Sequence, residues 1–550
     1  MRGKILIVTN YYPPFMVGGA EVVAHRQATM LRKRGWDICV FAGRAADDWS
    51  DVGKLDVEDQ DGIPVYRLSH AWMDMGRNFR NQFANQILTS LLHLYKPDWV
   101  HFHNLIGLGT ELTAIARRHG VKIALTLHDY WGVCYRGILL RRDWSLCDDS
   151  EMCGYACDAT VRAENGFDVP IRLRRDYVAW CLSQADRIIS PSRSLANDYK
   201  KLGFTKEIEP FTNGIDLAAI PARTRSPKAK VRFMCASYIG EHKGIRQLVD
   251  ALRILAAKPD LKGRWHFTLV GGGYIEEVVL ALAEELPSEF KFLGRVPRSR
   301  SLEELNKADA VVLASIWPEN EPVTLLEALA SGAAIIATDL GGNPEIVGGE
   351  EAGLLCRPRD AQALADAMEQ LIRSPETIHG MSEWNQQRVK SFDEEKTVDF
   401  LESVYQAPVP DAAAAERIII CGGGNPDAMS VQLIDAFAFH REKGGVRLLW
   451  HDWAGDKAWE QADGFWWWGE DCSPDQLLPA LARGMPVCVR KSPGADRLEK
   501  HLPVTIYRDE RSFLAWADGL TSGPATAKAD VPLLRHSTRL RPRAGFYLPC

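Results

Sequence analysis

The chain opens with an alternation of apolar runs and amphipathic segments. Residues 4–9 and 37–42 are short apolar runs, and residues 20–34 carry apolar side chains at helical spacing up to Gly35. This pattern predicts a strand, a helix and a second strand parallel to the first. The same alternation continues through the first 190 residues, at 99–102, 110–119, 122–127, 170–184 and 187–190. It predicts a doubly wound parallel sheet.

A second series of this kind follows a basic, proline-bearing stretch at 220–230, which indicates a linker. Its apolar runs predict further strands at 231–235, 266–270, 291–293, 310–314 and 334–337. We therefore expect an α/β protein with two Rossmann-like domains, 1–220 and 221–406, that face each other across a cleft. A helix near 393–405 is expected to cross back onto the first domain.

The last part of the chain is a separate region. Residues 407–414 are rich in proline and alanine and indicate another linker. The part after it resembles a repeat of the second domain, so we interpret residues 415–525 as a third Rossmann-like domain. Residues 526–550 are basic and rich in turn-forming residues, and we expect them to form a mobile tail.

Composition narrows the class of protein. Hydrophobic residues make up 46% and charged residues 25% of the 550, which is ordinary for a soluble globular protein. The net charge of −6 gives no basic field, so we expect no nucleic-acid partner. No apolar run reaches the roughly 18 residues of a membrane span. The apolar run at 4–9 is short for a secretory signal, and we expect a cytoplasmic protein.

The chain has twelve cysteines, and most are scattered singly in apolar runs, as reduced buried thiols are. The exception is a cluster in a turn-rich insert, formed by Cys134, Cys147, Cys153 and Cys157. Four thiolates could close a structural zinc site. Free thiols or a disulfide are the alternatives.

Two carboxylates stand out in the second domain. Glu319 and Glu327 lie between the apolar run 310–316 and the end of a short helix at Gly332, and Pro322 suits the first helical position. A helix start at the carboxyl end of a strand attracts an anion such as a diphosphate. A carboxylate further into the helix can accept hydrogen bonds from a ribose diol. The spacing therefore suggests a nucleotide-sugar site.

The repeat after residue 415 lacks this arrangement. In the alignment of the two regions, Asp471 takes the place of Glu319, and Pro479 takes the place of Glu327. Because the copy has lost the carboxylate that a ribose would need, we interpret the third domain as degenerate.

Further motifs occur in order along the chain. They include glycine pairs and triplets, histidines after two strands, and a lysine before a helix, at Gly18-Gly19, His103-Asn104, 126–131, 213–216, 241–244, 270–273, 292–296 and 341–345. Together they resemble the retaining glycosyltransferases of family four, which have the GT-B fold. The resemblance covers roughly residues 1–405 and rests on several motifs in the right order.

The resemblance implies roles for particular residues. The catalytic group would be His128, Glu319 and Lys243. The donor would bind at Gly18, Gly19, Lys243, Gly294, Val296, Glu319, Pro322, Val323, Thr324 and Glu327. The acceptor side would hold His103, Asn104, Asp129 and Trp131. One departure is Tyr238, which stands where the family usually places an arginine, so diphosphate binding would depend more on Lys243, on helix N-termini, or on Arg246 or Arg295.

The implied reaction is transfer of a sugar, with retention, from a UDP- or GDP-sugar to a glycan or lipid-linked acceptor, in the synthesis of a cell-surface polysaccharide. Lys243 and backbone N–H groups would stabilise the departing diphosphate, so we expect no cofactor or metal to be required for catalysis. A sugar-nucleotide 2-epimerase and a non-catalytic scaffold are the alternatives.

Two segments leave their interpretation open. The stretch of Arg172, Arg174 and Arg175 with neighbouring apolar residues could contact the inner face of an anionic membrane, or it could be a solvated helix face that packs its apolar side inward. The aromatic run 465–468 could stack on sugars, but a buried strand is favoured.

Overall fold

The computed structural model describes residues 2–15, 18–71, 80–147, 157, 160–162, 168–220, 230–409, 417–423, 430, 433, 446–451, 454, 456–469, 472, 474–499, 502 and 504–522. The expected tail, Cys153, Asp471 and most of both linkers lie outside these residues. The chain divides into two compact units. The first comprises Met1–Glu416 and Asn425–Arg447, and the second comprises Arg417–Gly424 and Leu448–Cys550.

The N-terminal domain of the first unit alternates strands and helices. Its strands are β1 (Lys4–Thr9), β2 (Asp37–Ala45), β3 (Leu55–Gln60), β4 (Ile63–His70), β5 (Trp99–Phe102), β6 (Lys122–Thr126), β7 (Thr160–Arg162), β8 (Asp168–Pro170), β9 (Arg187–Ser190) and β10 (Glu209–Pro210). Its helices are α1 (Gly19–Lys33), α2 (Gln82–Tyr95), α3 (Glu111–Arg118), α4 (Ile171–Leu182) and α5 (Arg193–Lys201).

The main sheet of this domain has the order β10-β9-β6-β5-β1-β2-β4-β3 within the described residues. All its pairs are parallel except the edge pair of β3 and β4. That hairpin turns at Asp61 and Gly62, both with positive φ. An Asp-Gly pair between two runs is a signal for such a turn. This hairpin was not among the predicted elements.

The C-terminal domain of the first unit repeats the alternation. Its strands are β11 (Val231–Ala236), β12 (Trp265–Val270), β13 (Phe290–Phe292), β14 (Ala310–Leu313), β15 (Ala334–Thr338) and β16 (Gly353–Cys356). Its helices are α6 (Ile245–Ala256), α7 (Glu276–Glu285), α8 (Arg298–Lys307), α9 (Val323–Ser331), α10 (Asn343–Val347), α11 (Ala361–Arg373), α12 (Thr377–Arg388) and α13 (Glu394–Gln406).

This second sheet has the order β13-β12-β11-β14-β15-β16, and every pair is parallel. Helices cover both of its faces, so its strands are almost continuously apolar. The order reverses between β11 and β14, and ligands bind beyond the carboxyl ends of strands at such a point. The α/β fold class with parallel sheets is confirmed.

Helix α13 leaves the C-terminal domain and packs into the core of the N-terminal domain. Its Val398, Leu401, Val404 and Tyr405 are buried in the same cluster as residues of β1, β2 and α1. The indole of Trp99 donates to the carbonyl of Tyr405 at 3.0 Å. The end of α13 therefore reaches the strands that carry the histidine motifs.

The second unit contains β17 (Arg417–Gly422), the last three residues of β18 (Val446–Trp450), β19 (Gly464–Trp467), β20 (Val487–Arg490) and β21 (Val504–Tyr507). Its helices are α14 (Asp456–Gln461), α15 (Pro474–Leu481), α16 (Pro493–Leu498) and α17 (Glu510–Ser522). Its sheet order is β18-β17-β19-β20-β21. This is the order of the C-terminal domain without the edge strand β13. Residues 465–468 are buried, which confirms their interpretation as core.

Candidate active site

The stretch with Glu319 and Glu327 connects β14 to α9 at the carboxyl edge of the sheet. The helix begins at Val323, one residue later than predicted, because Pro322 has an extended ψ of 117° and is the N-cap. The carbonyl of Pro322 still accepts the first helical bond, from the Leu325 amide at 2.9 Å. Proline has no side-chain oxygen that could cap this end. The first N–H groups of α9 are thus available to an anion.

Lys243 and Glu319 form an ion pair beside this helix start. Lys243 Nζ lies 2.6 Å from Glu319 Oε1, and the Ser315 hydroxyl donates to the same oxygen. The ammonium also lies 4.8 Å from the centroid of the Trp317 indole. Both charged side chains are mostly buried, at 19% and 6% exposure. The two residues that the sequence placed at the reacting bond therefore contact each other directly.

The backbone fixes where the lysine stands. Gly244 follows Lys243 in the left-handed region, with φ of 68°, and a Cβ there would lie 1.8 Å from the Ala314 carbonyl. Only glycine, which has no Cβ, allows so close an approach. This contact holds the loop after β11 against the loop after β14. The family resemblance identifies Lys243 as a site residue. The contact of Gly244 with the Ala314 carbonyl is the physical reason for its position.

Glu327 lies one turn into α9 and has a partner that the sequence analysis missed. Arg298 Nη1, at the start of α8, lies 2.6 Å from Glu327 Oε1. Burial raises the pKa of Glu327, while Arg298 and then Arg26 lower it. Because α8 precedes α9 by one strand, no local spacing indicates this pair.

The glycine loop of the N-terminal domain meets α9 across the cleft. Gly18 is the N-cap of α1, and its amide donates to Glu21 Oε2 at 2.7 Å. A Cβ on Gly19 would lie 3.5 Å from the Val323 side chain. Arg67, fully buried, donates to two carbonyls of the preceding loop at 2.9 Å each. Gly19 of the N-terminal domain thus faces Val323 of the C-terminal domain.

The loops expected to frame the nucleobase also come together. Gly294 has φ of 65°, and its carbonyl accepts from the Gly271 amide at 3.0 Å. The Thr324 hydroxyl donates to the Ala236 carbonyl at 3.1 Å, which ties α9 to the end of β11. Val296 is partly buried against the core on that side.

Tyr238 stands where the family usually places an arginine, and the side chains of Arg246 and Arg295 have other contacts. Tyr238 is 44% exposed beside Tyr274, with ring centroids 6.1 Å apart. Arg246 pairs with Glu241 at 2.7 Å. The Arg295 side chain packs against Gly272, where a Cβ would lie 2.6 Å from its Cγ. Among the described groups, Lys243 is the cation closest to Glu319.

The histidine motifs meet at the ends of β5 and β6. His103 Nδ1 lies 2.9 Å from His128 Nε2, and the two rings stack with centroids 5.2 Å apart. His101, behind them, contacts the Tyr405 hydroxyl and the Thr126 hydroxyl at 2.6 and 2.8 Å. Burial lowers the pKa of His128 to about 4. His128 is therefore neutral at physiological pH.

The other acceptor-side residues form one hydrogen-bonded group. Asn104 Nδ2 donates to Asp129 Oδ2 at 2.9 Å, and the Trp131 amide donates to Asp129 Oδ1 at 2.7 Å. Burial raises the pKa of Asp129 to about 6. With His103, His128 and other residues, these three line one cavity of the N-terminal domain. The structure thus brings together all four predicted acceptor-side residues.

Two residues without a predicted role, Asn320 and Glu345, form contacts between the two domains. Asn320 Nδ2 donates to the His128 carbonyl at 2.6 Å. The Glu345 carboxylate accepts from the Arg193 and Ser194 amides, at 2.9 and 2.7 Å, and so caps α5. Each pair is more than 150 positions apart in the chain, so only the docking of the domains reveals them.

Of the four clustered cysteines, Cys153 lies outside the described residues. Cys134 is buried, and Cys147 and Cys157 are half-buried. Among the described residues, no group of three or more potential metal ligands was found. Zinc bound by all four thiols stays a prediction.

Helix α4 carries the three clustered arginines, and it fits neither the interpretation as a membrane surface nor that as a solvated helix face. Arg172, Arg174 and Arg175 are 6%, 2% and 7% exposed, and every residue of α4 is buried. The Arg174 guanidinium lies 5.0 Å from the Trp131 ring centroid. The helix thus offers neither a solvated face nor a basic membrane surface. No helix among the described residues is both long and apolar enough to span a membrane.

Two family models match contiguous parts of the chain. The model of glycosyltransferase family 4 matches residues 17–219, and that of the group 1 glycosyl transferases matches residues 218–388. Together they cover more than half of the chain, including both sides of the cleft. The chain belongs to glycosyltransferase family 4.

Curated relatives agree with this membership. Glycogen synthase of Mycobacterium tuberculosis is 23% identical over 74% of this chain and 94% of its own length. The putative teichuronic acid biosynthesis glycosyltransferase TuaC of Bacillus subtilis is 26% identical over 73% of this chain and 98% of its own. Relatives of this family 4 glycosyltransferase thus include proteins named for polysaccharide and glycogen synthesis.

Solved structures share the fold. Sucrose-phosphate synthase of Thermosynechococcus elongatus covers 74% of this chain and 98% of its own, with a TM-score of 0.57 and 18% identity. Anabaena HepE in complex with UDP and glucose covers 74% and 100%, with a TM-score of 0.52 and 18% identity. Such neighbours are GT-B glycosyltransferases, and the predicted GT-B fold is confirmed.

Proposed function

We propose that this glycosyltransferase moves a hexose from a UDP- or GDP-sugar to a glycan or lipid-linked acceptor, with retention of the anomeric configuration, in the synthesis of a cell-surface polysaccharide. The observation that carries the proposal is the 2.6 Å ion pair of Lys243 and Glu319 beside the uncapped start of α9. A cation and a carboxylate beside a helix start support the proposal that a sugar diphosphate binds there. Relatives named for polysaccharide synthesis and the HepE complex with UDP support the substrate class.

In this proposal, different residues bind the diphosphate, the sugar and the ribose of the donor. The N–H groups of α9 and Lys243 hold the diphosphate, and Lys243 opposes the negative charge that grows as the sugar–phosphate bond breaks. Glu319 accepts hydrogen bonds from sugar hydroxyls, and Glu327 accepts those of the ribose. Gly19 of the glycine loop faces the Val323 side chain at the start of α9, so both domains can contribute to the donor site. The acceptor hydroxyl attacks the anomeric carbon on the side from which the diphosphate leaves, and a phosphate oxygen takes its proton.

Protein groups supply the charge stabilisation in this scheme, so we propose that the reaction requires no metal. The buried free cysteines of the described residues suit a reducing compartment, and we propose that the protein acts in the cytoplasm. We propose that the acceptor binds on the side of the cleft where His103, Asn104, Asp129 and Trp131 lie.

The test begins with a thermal-shift screen of UDP, GDP, ADP and their sugars, because a ligand specific to the native state raises the melting temperature. A sugar nucleotide that raises it is then incubated with glycan and lipid-linked acceptors, with and without EDTA, and the linkage is read by NMR. We expect an axial donor bond to give an axial product bond in both conditions. Conversion of the sugar nucleotide to its 2-epimer would support the epimerase instead, and no binding at all would support a scaffold, for which Tyr238 is the one favourable feature.

A further inference from the structure

The hydrogen bond between His103 and His128 constrains which nitrogen of His128 carries a proton. A neutral imidazole has one N–H and one bare nitrogen. Burial, with smaller contributions from neighbouring histidines, lowers the pKa of His103 well below 6.5, and burial lowers that of His128 to about 4. Each ring therefore holds one proton, and a single hydrogen joins His103 Nδ1 to His128 Nε2.

Two arrangements satisfy that bond. In the first, His103 donates from Nδ1, its Nε2 is bare, and His128 keeps its proton on Nδ1. In the second, His128 donates from Nε2, its Nδ1 is bare, and His103 keeps its proton on Nε2. The arrangements differ in what His128 offers through its other nitrogen, which is a donor in the first and an acceptor in the second.

The surroundings of His103 Nε2 distinguish them. The side chain is 2% exposed, and Nε2 is buried with no hydrogen-bond partner in the described part of the chain. The His101 ring lies tilted beside the His103 ring, with centroids 4.4 Å apart, but directs its own nitrogens to Tyr405 and Thr126. A buried N–H without a partner is rarer in proteins than a buried acceptor without one. The first arrangement, with Nε2 bare, is therefore favoured.

We propose that His103 is a positioning residue that holds His128 in the Nδ1–H tautomer, so that His128 gives the donor sugar a neutral N–H hydrogen-bond donor. The proposal rests on the proposed function for the sugar as ligand. His128 is half-buried, and its Nδ1 has no hydrogen bond among the described residues, so this nitrogen is left for a ligand.

The tautomer has a consequence for the reaction. Because Nδ1 already holds a proton and Nε2 is occupied by His103, His128 cannot accept the proton of the attacking hydroxyl. As the acceptor oxygen bonds to the anomeric carbon and the sugar–phosphate bond breaks, that proton passes to a phosphate oxygen of the leaving nucleoside diphosphate. His128 then orients the sugar without changing its own protonation.

Nitrogen-15 NMR of the histidine-labelled full chain tests the tautomer, with the His128 signals assigned by their loss in His128→Gln. We expect a protonated Nδ1 and a bare Nε2 for His128 in the wild type. A proton on Nε2 overturns the proposal. This measurement needs no substrate, so it does not depend on the proposed function.

A matched pair of variants tests the role. His103→Asn places an amide N–H where Nδ1 stands, whereas the isosteric carboxylate of His103→Asp accepts and draws the His128 proton to Nε2. Because His103 also lines the acceptor-side cavity, we expect both variants to lose activity. The kcat of His103→Asp should lie at least about tenfold below that of His103→Asn, with the same acceptor KM in the two variants. Equal rates in two folded variants of opposite tautomer overturn the proposal. If His103→Asp does not fold, the wild-type spectrum decides. Wild-type transfer by His128→Gln would instead refute the role of His128 in the proposed function.

Discussion

Lys243 Nζ lies 2.6 Å from Glu319 Oε1, although the two residues belong to loops after different strands. The close approach of Gly244 to the Ala314 carbonyl joins these loops, so the pair is set by backbone packing before any ligand binds. Charged groups that are already oriented need no reorganisation when charge develops on a leaving group. In the proposed role of the pair, we therefore expect it to stabilise the transition state more than the ground state.

Lys243→Ala should lower kcat by about 10²–10³-fold, the usual loss when an oriented donor to a developing oxyanion is removed. The affinity for free nucleoside diphosphate should fall much less, because Lys243 acts most strongly as the bond breaks. Steady-state kinetics and calorimetry measure the two effects. Lys258→Ala is the control, since Lys258 also pairs with a glutamate, Glu369, in a part of the domain without predicted site residues. Equal losses of kcat and affinity would make Lys243 a ground-state binding residue.

Glu327→Ala should weaken nucleotide binding by roughly 1.5–3 kcal/mol, because charged hydrogen bonds to the ribose diol are lost. Calorimetry with the nucleoside diphosphate measures this. Glu304→Ala is the control, since Glu304 is also mostly buried and pairs with Arg300 on α8. Unchanged affinity in Glu327→Ala, or an equal loss of affinity in both variants, would show that Glu327 does not bind the ribose.

The sequence could predict what local patterns encode. Gly332 ends α9 and the apolar run before Glu319 is β14, because caps and strand runs are written in neighbouring residues. It could not predict that Arg298 pairs with Glu327, or that Arg174 is buried, because these depend on which elements pack together. The pairing of His103 with His128 lies between these cases. Parallel strands bring both motifs to one edge, but the side-chain contact needs the coordinates.

Glu345→Gln should favour separation of the two domains. The Glu345 carboxylate caps α5 of the other domain, and loss of a charged cap costs about 1 kcal/mol. We expect donor KM to rise about fivefold with little change in kcat, because less of the protein has the binding-competent arrangement. Small-angle scattering should show a larger radius of gyration. Glu350→Gln, an exposed position on the following turn, is the control. A wild-type radius and KM in Glu345→Gln would show that the contact does not hold the domains together.

Glu321 should make stability depend on pH. Burial raises its pKa from 4.5 to about 7, although the Thr212 hydroxyl and Asn213 hydrogen-bond to it. The folded state therefore holds the proton more tightly than the unfolded state, and stability is lost as pH rises from about 4.5 to about 7. The change amounts to at most about 3 kcal/mol. Between pH 5 and 7.5, the melting temperature of the wild type should fall more than that of Glu321→Gln, whereas Glu350→Gln should follow the wild type. Parallel curves for all three proteins would contradict the raised pKa.

The full chain should bind one nucleoside diphosphate. The second unit has the strand order of the C-terminal domain, but Pro479 in α15 stands where the ribose carboxylate would be needed, and its side chain cannot accept a hydrogen bond. Calorimetry should give one site per chain in the wild type. In Glu327→Ala the binding that remains should be weak and of the same stoichiometry, because no second site takes over. A second class of sites that keeps its affinity in Glu327→Ala would show that the third domain binds nucleotide and that its interpretation as degenerate is wrong.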